Sequence, residues 1–85
     1  MNLGDGQRAI EYFNQNLALA REIEDQVAEG ATLWNIALAL DKLGYRQQAI
    51  TMAEEALGIK RMIEAPNADV VRRQLEAWKH MDTIN

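Results

Sequence analysis

A spacing of forty residues recurs along the chain. Ala9-Ile10 returns as Ala49-Ile50, Leu17 as Leu57, Arg21 as Arg61 and Ile23-Glu24 as Ile63-Glu64. Leu3-Gly4 returns as Leu43-Gly44, and Gln7 as Gln47. Matches that hold one spacing mark an internal repeat. Such a chain is restricted to supersecondary units that bury their apolar faces only against their neighbours.

Hydrophobic spacing says what the unit is. Ile10, Phe13, Leu17 and Ala20 fall at helical intervals, so the first helix is predicted over 6–24, with Asp5 as its N-cap. Tyr12, Leu19 and Ile23 form a second apolar stripe on that helix, roughly a third of a turn away. A second helix is predicted over 26–42, with Leu33, Ile36, Ala37 and Leu40 inward. Gly44 ends it in the left-handed conformation that a residue with a Cβ resists. A third helix over 46–63 turns Ala49, Ile50, Ala53, Ala56 and Leu57 inward. A fourth over 66–81 begins at Pro66 and buries Val71, Leu75 and Trp78, with fraying expected beyond Asp82. The expected fold is all-α, with antiparallel helical hairpins stacked as a short solenoid.

Composition narrows the classes of function. Eighty-five residues make one small domain. The chain has no Cys, which excludes a disulfide scaffold and a thiolate metal site. No apolar run spans a membrane and no signal peptide opens the chain, so a cytoplasmic location is expected. The net charge is −4. Residues 1–40 carry Asp5, Glu11, Glu22, Glu24, Asp25 and Glu29 against Arg8 and Arg21. An acidic half repels phosphate backbones, so nucleic acid is not an expected partner. Arg72, Arg73 and Lys79 read as a solvated helix face.

The pattern Leu33, Ile36, Ala37, Gly44 and Ala49, closed by Ala56 and Leu57, resembles the tetratricopeptide repeat. The forty-residue spacing is similar to the longer form of that repeat seen in kinesin light chains and many bacterial proteins. The first copy keeps Asp5 but follows it with Gly6, and the second reads Tyr45-Arg46. Leu40 stands where the family has a Tyr. On this resemblance residues 1–25 are the second helix of a partial repeat, 26–64 one complete repeat, and 65–85 a capping helix. Arg73 and Glu76 fall where the second helix has Leu33 and Ile36, which suggests a one-residue shift in the fourth.

The resemblance implies a scaffold that binds a peptide or protein segment on the face built by first helices. Here that face carries Ala31, Trp34, Asn35, Leu38 and Asp41. Trp34 is either an exposed anchor or a packing residue against the fourth helix or a second chain. Asn35 offers both a donor and an acceptor to a peptide backbone or to a neighbour. Lys42 and Arg46 could meet a carboxylate. Other readings are a structural oligomerisation piece, or an end-cap of a longer array. The second stripe, Tyr12, Leu19 and Ile23, then makes a homodimer through the first helix. A remote rival is histidine phosphotransfer through His80, the only histidine, which lies close to the C-terminus. No enzyme, no cofactor and no metal site is expected; Glu54-Glu55 and Asp82 lack ligand spacing.

Overall fold

The computed structural model describes residues 3–84, and the side chains of residues 6–81. Four helices follow one another: α1 (Leu3–Glu22), α2 (Gln26–Lys42), α3 (Arg46–Met62) and α4 (Ala68–Ile84). Each packs against the next, α1 on α2, α2 on α3 and α3 on α4. No strand occurs among the described residues. The fold is the expected all-α stack of hairpins.

The helix ends explain the sequence repeat. Asp25 N–H donates to the Ala20 carbonyl at 2.8 Å and Glu24 N–H to that of Arg21 at 3.3 Å. Tyr45 and Gly44 repeat the pair on Leu40 and Asp41, and Ala65 and Glu64 repeat it on Lys60 and Arg61. This double bond is the Schellman motif, which requires a left-handed residue just past the helix. Those residues are Glu24 (φ 59°), Gly44 (φ 91°) and Glu64 (φ 56°). The chain therefore turns every twenty residues, and the forty-residue repeat is one hairpin. Asp25 also caps α2, its Oδ1 accepting from Ala28 N–H at 3.0 Å.

Both outer helices depart from expectation. α1 starts at Leu3, so Leu3-Gly4 is helix rather than turn and Asp5 lies in the first turn rather than at the cap. The Asp5 carboxylate lies outside the described side chains. Gly44 is left-handed because one helix ends before it and another starts after it. No helix among the described residues precedes Gly4. At the other end Pro66 and Asn67 stay outside α4. Val70 N–H donates to the Asn67 carbonyl at 3.1 Å, and Ala68 N–H to that of Ala65 at 3.2 Å. α4 then runs to Ile84, past the point where fraying was expected.

The core is a thin layer. Leu17 of α1, Leu33, Ile36, Ala37 and Leu40 of α2, and Ala49, Ile50, Ala53 and Ala56 of α3 join Val71, Leu75 and Trp78 of α4. Small residues let the axes approach. A Cβ on Gly30 would stand 3.2 Å from Ile59 Cγ2 and 3.5 Å from Lys60 Cγ.

The burial of α4 follows the suggested one-residue shift. Its buried residues, Val71, Leu75 and Trp78, stand thirty-nine after the buried Thr32, Ile36 and Ala39. Arg73, Glu76 and His80 stand forty after the buried Leu33, Ile36 and Leu40, yet are exposed. The cause is the neighbour. α2 turns Leu33, Ile36 and Leu40 into the core it shares with α3, whereas no described helix follows α4.

Candidate functional site

Ala31, Trp34, Asn35, Leu38 and Asp41 share one side of α2, since steps of three and four residues return to the same face. Ala31 and Asn35 are exposed, and the other three are half-buried. The two edges of this face differ.

The edge toward α4 is a closed block. Trp34 packs on Trp78 with ring centroids 6.0 Å apart and planes tilted by 37°. The Arg46 guanidinium lies 5.8 Å from the Trp78 ring centre, a cation–π distance. Arg46 Nε donates to Asp41 Oδ1 at 2.7 Å, and Nη1 approaches Met81 Sδ at 3.6 Å. Trp34 is thus a packing residue on α4 with part of its ring still open, rather than a free anchor. The carboxylate that Arg46 meets is one of this chain's own. Nothing in the sequence signalled the Arg46–Trp78 contact, because its partners lie on different helices thirty-two positions apart.

The edge toward α1 is open. Asn35, Leu38, Ala39 and Lys42 line a cavity of about 220 Å³ with Ala9 and Phe13 of α1. Its wall is mainly hydrocarbon, with an amide and an ammonium at the mouth. Asn35 makes no hydrogen bond to a described residue, so its donors and acceptor face solvent. Ala9 and Phe13 had no place in the expected site. The signal for them was the repeat: their equivalents Ala49 and Ala53 are fully buried, and these two are not.

The second stripe of α1 is uncovered. Tyr12, Leu19 and Ile23 are 61%, 55% and 62% exposed. Leu19 and Ile23 border a further hollow between α1 and the start of α2, which also takes in Asn16, Ala28 and Thr32. Forty residues on, Met52 and Ile59 are half-buried against the core. Surface charges join helices rather than form a site. Arg21 of α1 reaches Glu29 of α2 at 3.1 Å and Glu55 of α3 at 3.5 Å, and Lys79 of α4 reaches Glu54 of α3 at 2.9 Å. Lys60 is 5% exposed and donates to Asn67 Oδ1 at 3.1 Å, which fastens the end of α3 to the turn before α4. Burial lowers its pKa, because the charged form loses solvation. Among the described residues no three His, Cys, Asp or Glu cluster as metal ligands. His80 stands exposed on α4.

Helices paired in hairpins, with identical left-handed turns at fixed intervals, define a helical-repeat protein. The model of the tetratricopeptide repeat family matches residues 1–62 of this chain, and the chain belongs to that family, in its forty-residue form. The family is one of protein-interaction scaffolds. No curated protein and no solved structure gives a significant match. No described helix is long and apolar enough to cross a membrane.

Proposed function

We propose that this chain is a binding module, not an enzyme, and that it takes a peptide or protein segment along the free face of α2. The observation that carries this reading is the open edge at Asn35 and Leu38. An unpartnered amide there stands beside an apolar hollow on a rigid helix. Asn35 suits the main chain of the ligand and Leu38 one of its apolar side chains. Ala31 leaves the backbone room to approach. Trp34 and Asp41, fixed by Trp78 and Arg46, serve as the wall of the site. Peptides selected from a random display library provide the test. Their amide-shift changes should fall on α2 around 31–42, and Asn35→Ala with Leu38→Glu should abolish binding. Shifts confined to α3 would sink the reading.

A second reading is favoured by the bare stripe on α1. Tyr12, Leu19 and Ile23 are exposed where their repeat equivalents are covered, and self-association through α1 would cover them. Sedimentation equilibrium of the wild type and of Leu19→Glu decides it. A wild type that stays monomeric at high micromolar concentration, or a variant that dimerises equally well, removes it.

A further inference from the structure

The bare stripe of α1 has a covered counterpart within the same molecule. Ala49, Ala53 and Ala56 of α3 are fully buried, and Met52 and Ile59 half-buried, because α2 lies antiparallel along them. Gly30 of α2 meets Ile59 and Lys60 there. Forty residues earlier the same positions are Ala9, Phe13, Asn16, Tyr12 and Leu19. Ala9, Phe13 and Asn16 border α2 on one side and are half-buried, but the described residues leave Tyr12 and Leu19 exposed. The repeat thus marks a seat for one antiparallel helix on α1.

Asn16 says which helix. It stands where α3 has the buried Ala56, at the middle of the seat, and makes no hydrogen bond to a described residue. An apolar helix laid over it would bury an unpaired amide, which is costly. A helix with its own amide at the same height satisfies it, since an amide is both donor and acceptor. The stripe reads Ala9, Tyr12, Asn16, Leu19, Ile23, with Ala9 and Ile23 seven residues either side of Asn16, Tyr12 four before it and Leu19 three after it. Turned about a twofold axis at Asn16, it sets Ala9 opposite Ile23 of the other copy and Tyr12 within one residue of Leu19, close to the self-complementarity an isologous contact requires. Along one flank of the stripe, Arg8 of each copy then comes beside Glu22 of the other, and neither forms an ion pair among the described residues.

We infer that the seat is filled by α1 of a second copy, antiparallel, with the two Asn16 amides paired on the twofold axis and fixing the register. This rests on the self-association reading and adds the orientation, the axis and the residue that selects them. A single polar residue in an apolar seam sets register in this way, at some loss of affinity.

The chain has no cysteine, so single cysteines report the geometry directly. Asn16→Cys should cross-link to itself on oxidation. Ile23→Cys alone should not, whereas a mixture of Ala9→Cys and Ile23→Cys should cross-link at least about tenfold faster than Ile23→Cys with itself, because only that pair is held together. The mixture keeps Asn16, so it stands even if Asn16→Cys perturbs the seam. Asn16→Leu should tighten the dimer and let Ile23→Cys, placed in that background, begin to cross-link with itself. A monomeric wild type in sedimentation removes the parent reading. A dimeric wild type in which Ile23→Cys cross-links to itself as fast as the mixture overturns the antiparallel register alone.

Discussion

Gly44 and Glu64 occupy the same place in the same motif, and exchanging their residue types should move stability in opposite directions. At Gly44 φ is 91°, and a Cβ would have nothing within 4 Å, so Gly44→Ala meets no steric clash with neighbours. Only the backbone pays: a left-handed L-residue costs roughly 1–2 kcal/mol. Ala also restricts the unfolded chain, which returns about 0.4–1 kcal/mol. The expected net loss is therefore about 0.5–1.5 kcal/mol. In Glu64→Gly the same terms reverse. That change also removes a carboxylate from the negative end of α3, adding a few tenths of a kcal/mol at an exposed site. The expected gain is about 1 kcal/mol, and Glu24→Gly, far from it, should add independently. A domain of this size shifts its melting temperature by about 4–8 °C per kcal/mol, so the three variants separate in thermal and urea unfolding followed by far-UV circular dichroism. If Gly44→Ala is neutral and Glu64→Gly destabilises, the glutamates hold the turns by side-chain contacts and the strain argument is wrong.

Two other glycines should also part company. Gly58 faces open space within α3, so Gly58→Ala should raise the urea midpoint by the helix-propensity gain of about 0.8–1 kcal/mol. Gly30→Ala earns the same propensity but pushes on Ile59 Cγ2 at 3.2 Å, and should show no gain or a loss of up to about 2 kcal/mol. Lys60 predicts a pH effect. Its folded pKa lies below the ordinary 10.5, so between the two values the unfolded chain holds more protons and stability rises with pH. Below the folded value the burial penalty is present in full. Lys60→Met should be the more stable protein at neutral pH and should lose that alkaline rise in urea titrations.

The hairpin architecture was legible because it depends on local chemistry. Gly44 announces its turn, and the stripes at Leu33–Leu40 and Ala49–Ala56 announce their faces. The ends of α1 and α4 were less so, since Gly4 and Pro66 carry the same residue-level signals whether or not a neighbouring helix makes use of them. Glu24 and Glu64 hid two of the three left-handed turns, as glutamate is not a turn residue by type. Only their forty-residue match hinted at a shared role. The five residues expected on the α2 face do lie together. Their division into a closed edge at Trp34 and Asp41 and an open edge at Asn35 and Leu38 depends on Trp78, Arg46 and Phe13. Those contacts come from other helices, and no spacing within α2 encodes them.

The two outer helices are chemically unlike, and a further helix would meet different surfaces on them. α1 offers Tyr12, Leu19 and Ile23 to solvent. On α4 the residues forty after Leu33, Ile36 and Leu40 are Arg73, Glu76 and His80, all exposed. A helix approaching α4 as α3 approaches α2 would have to strip water from a guanidinium and a carboxylate, which costs more than a surface pair returns. A polar face there disfavours the packing of a further helix on α4. Restoring the α2 pattern with Arg73→Leu, Glu76→Ile and His80→Leu should open a second apolar seam. Two unlike seams on one chain propagate rather than close. In sedimentation velocity the triple variant should form concentration-dependent species larger than any the wild type forms, with helical content unchanged. A variant that keeps the wild-type distribution would show that shape, and not the charge of Arg73 and Glu76, closes that end of the stack.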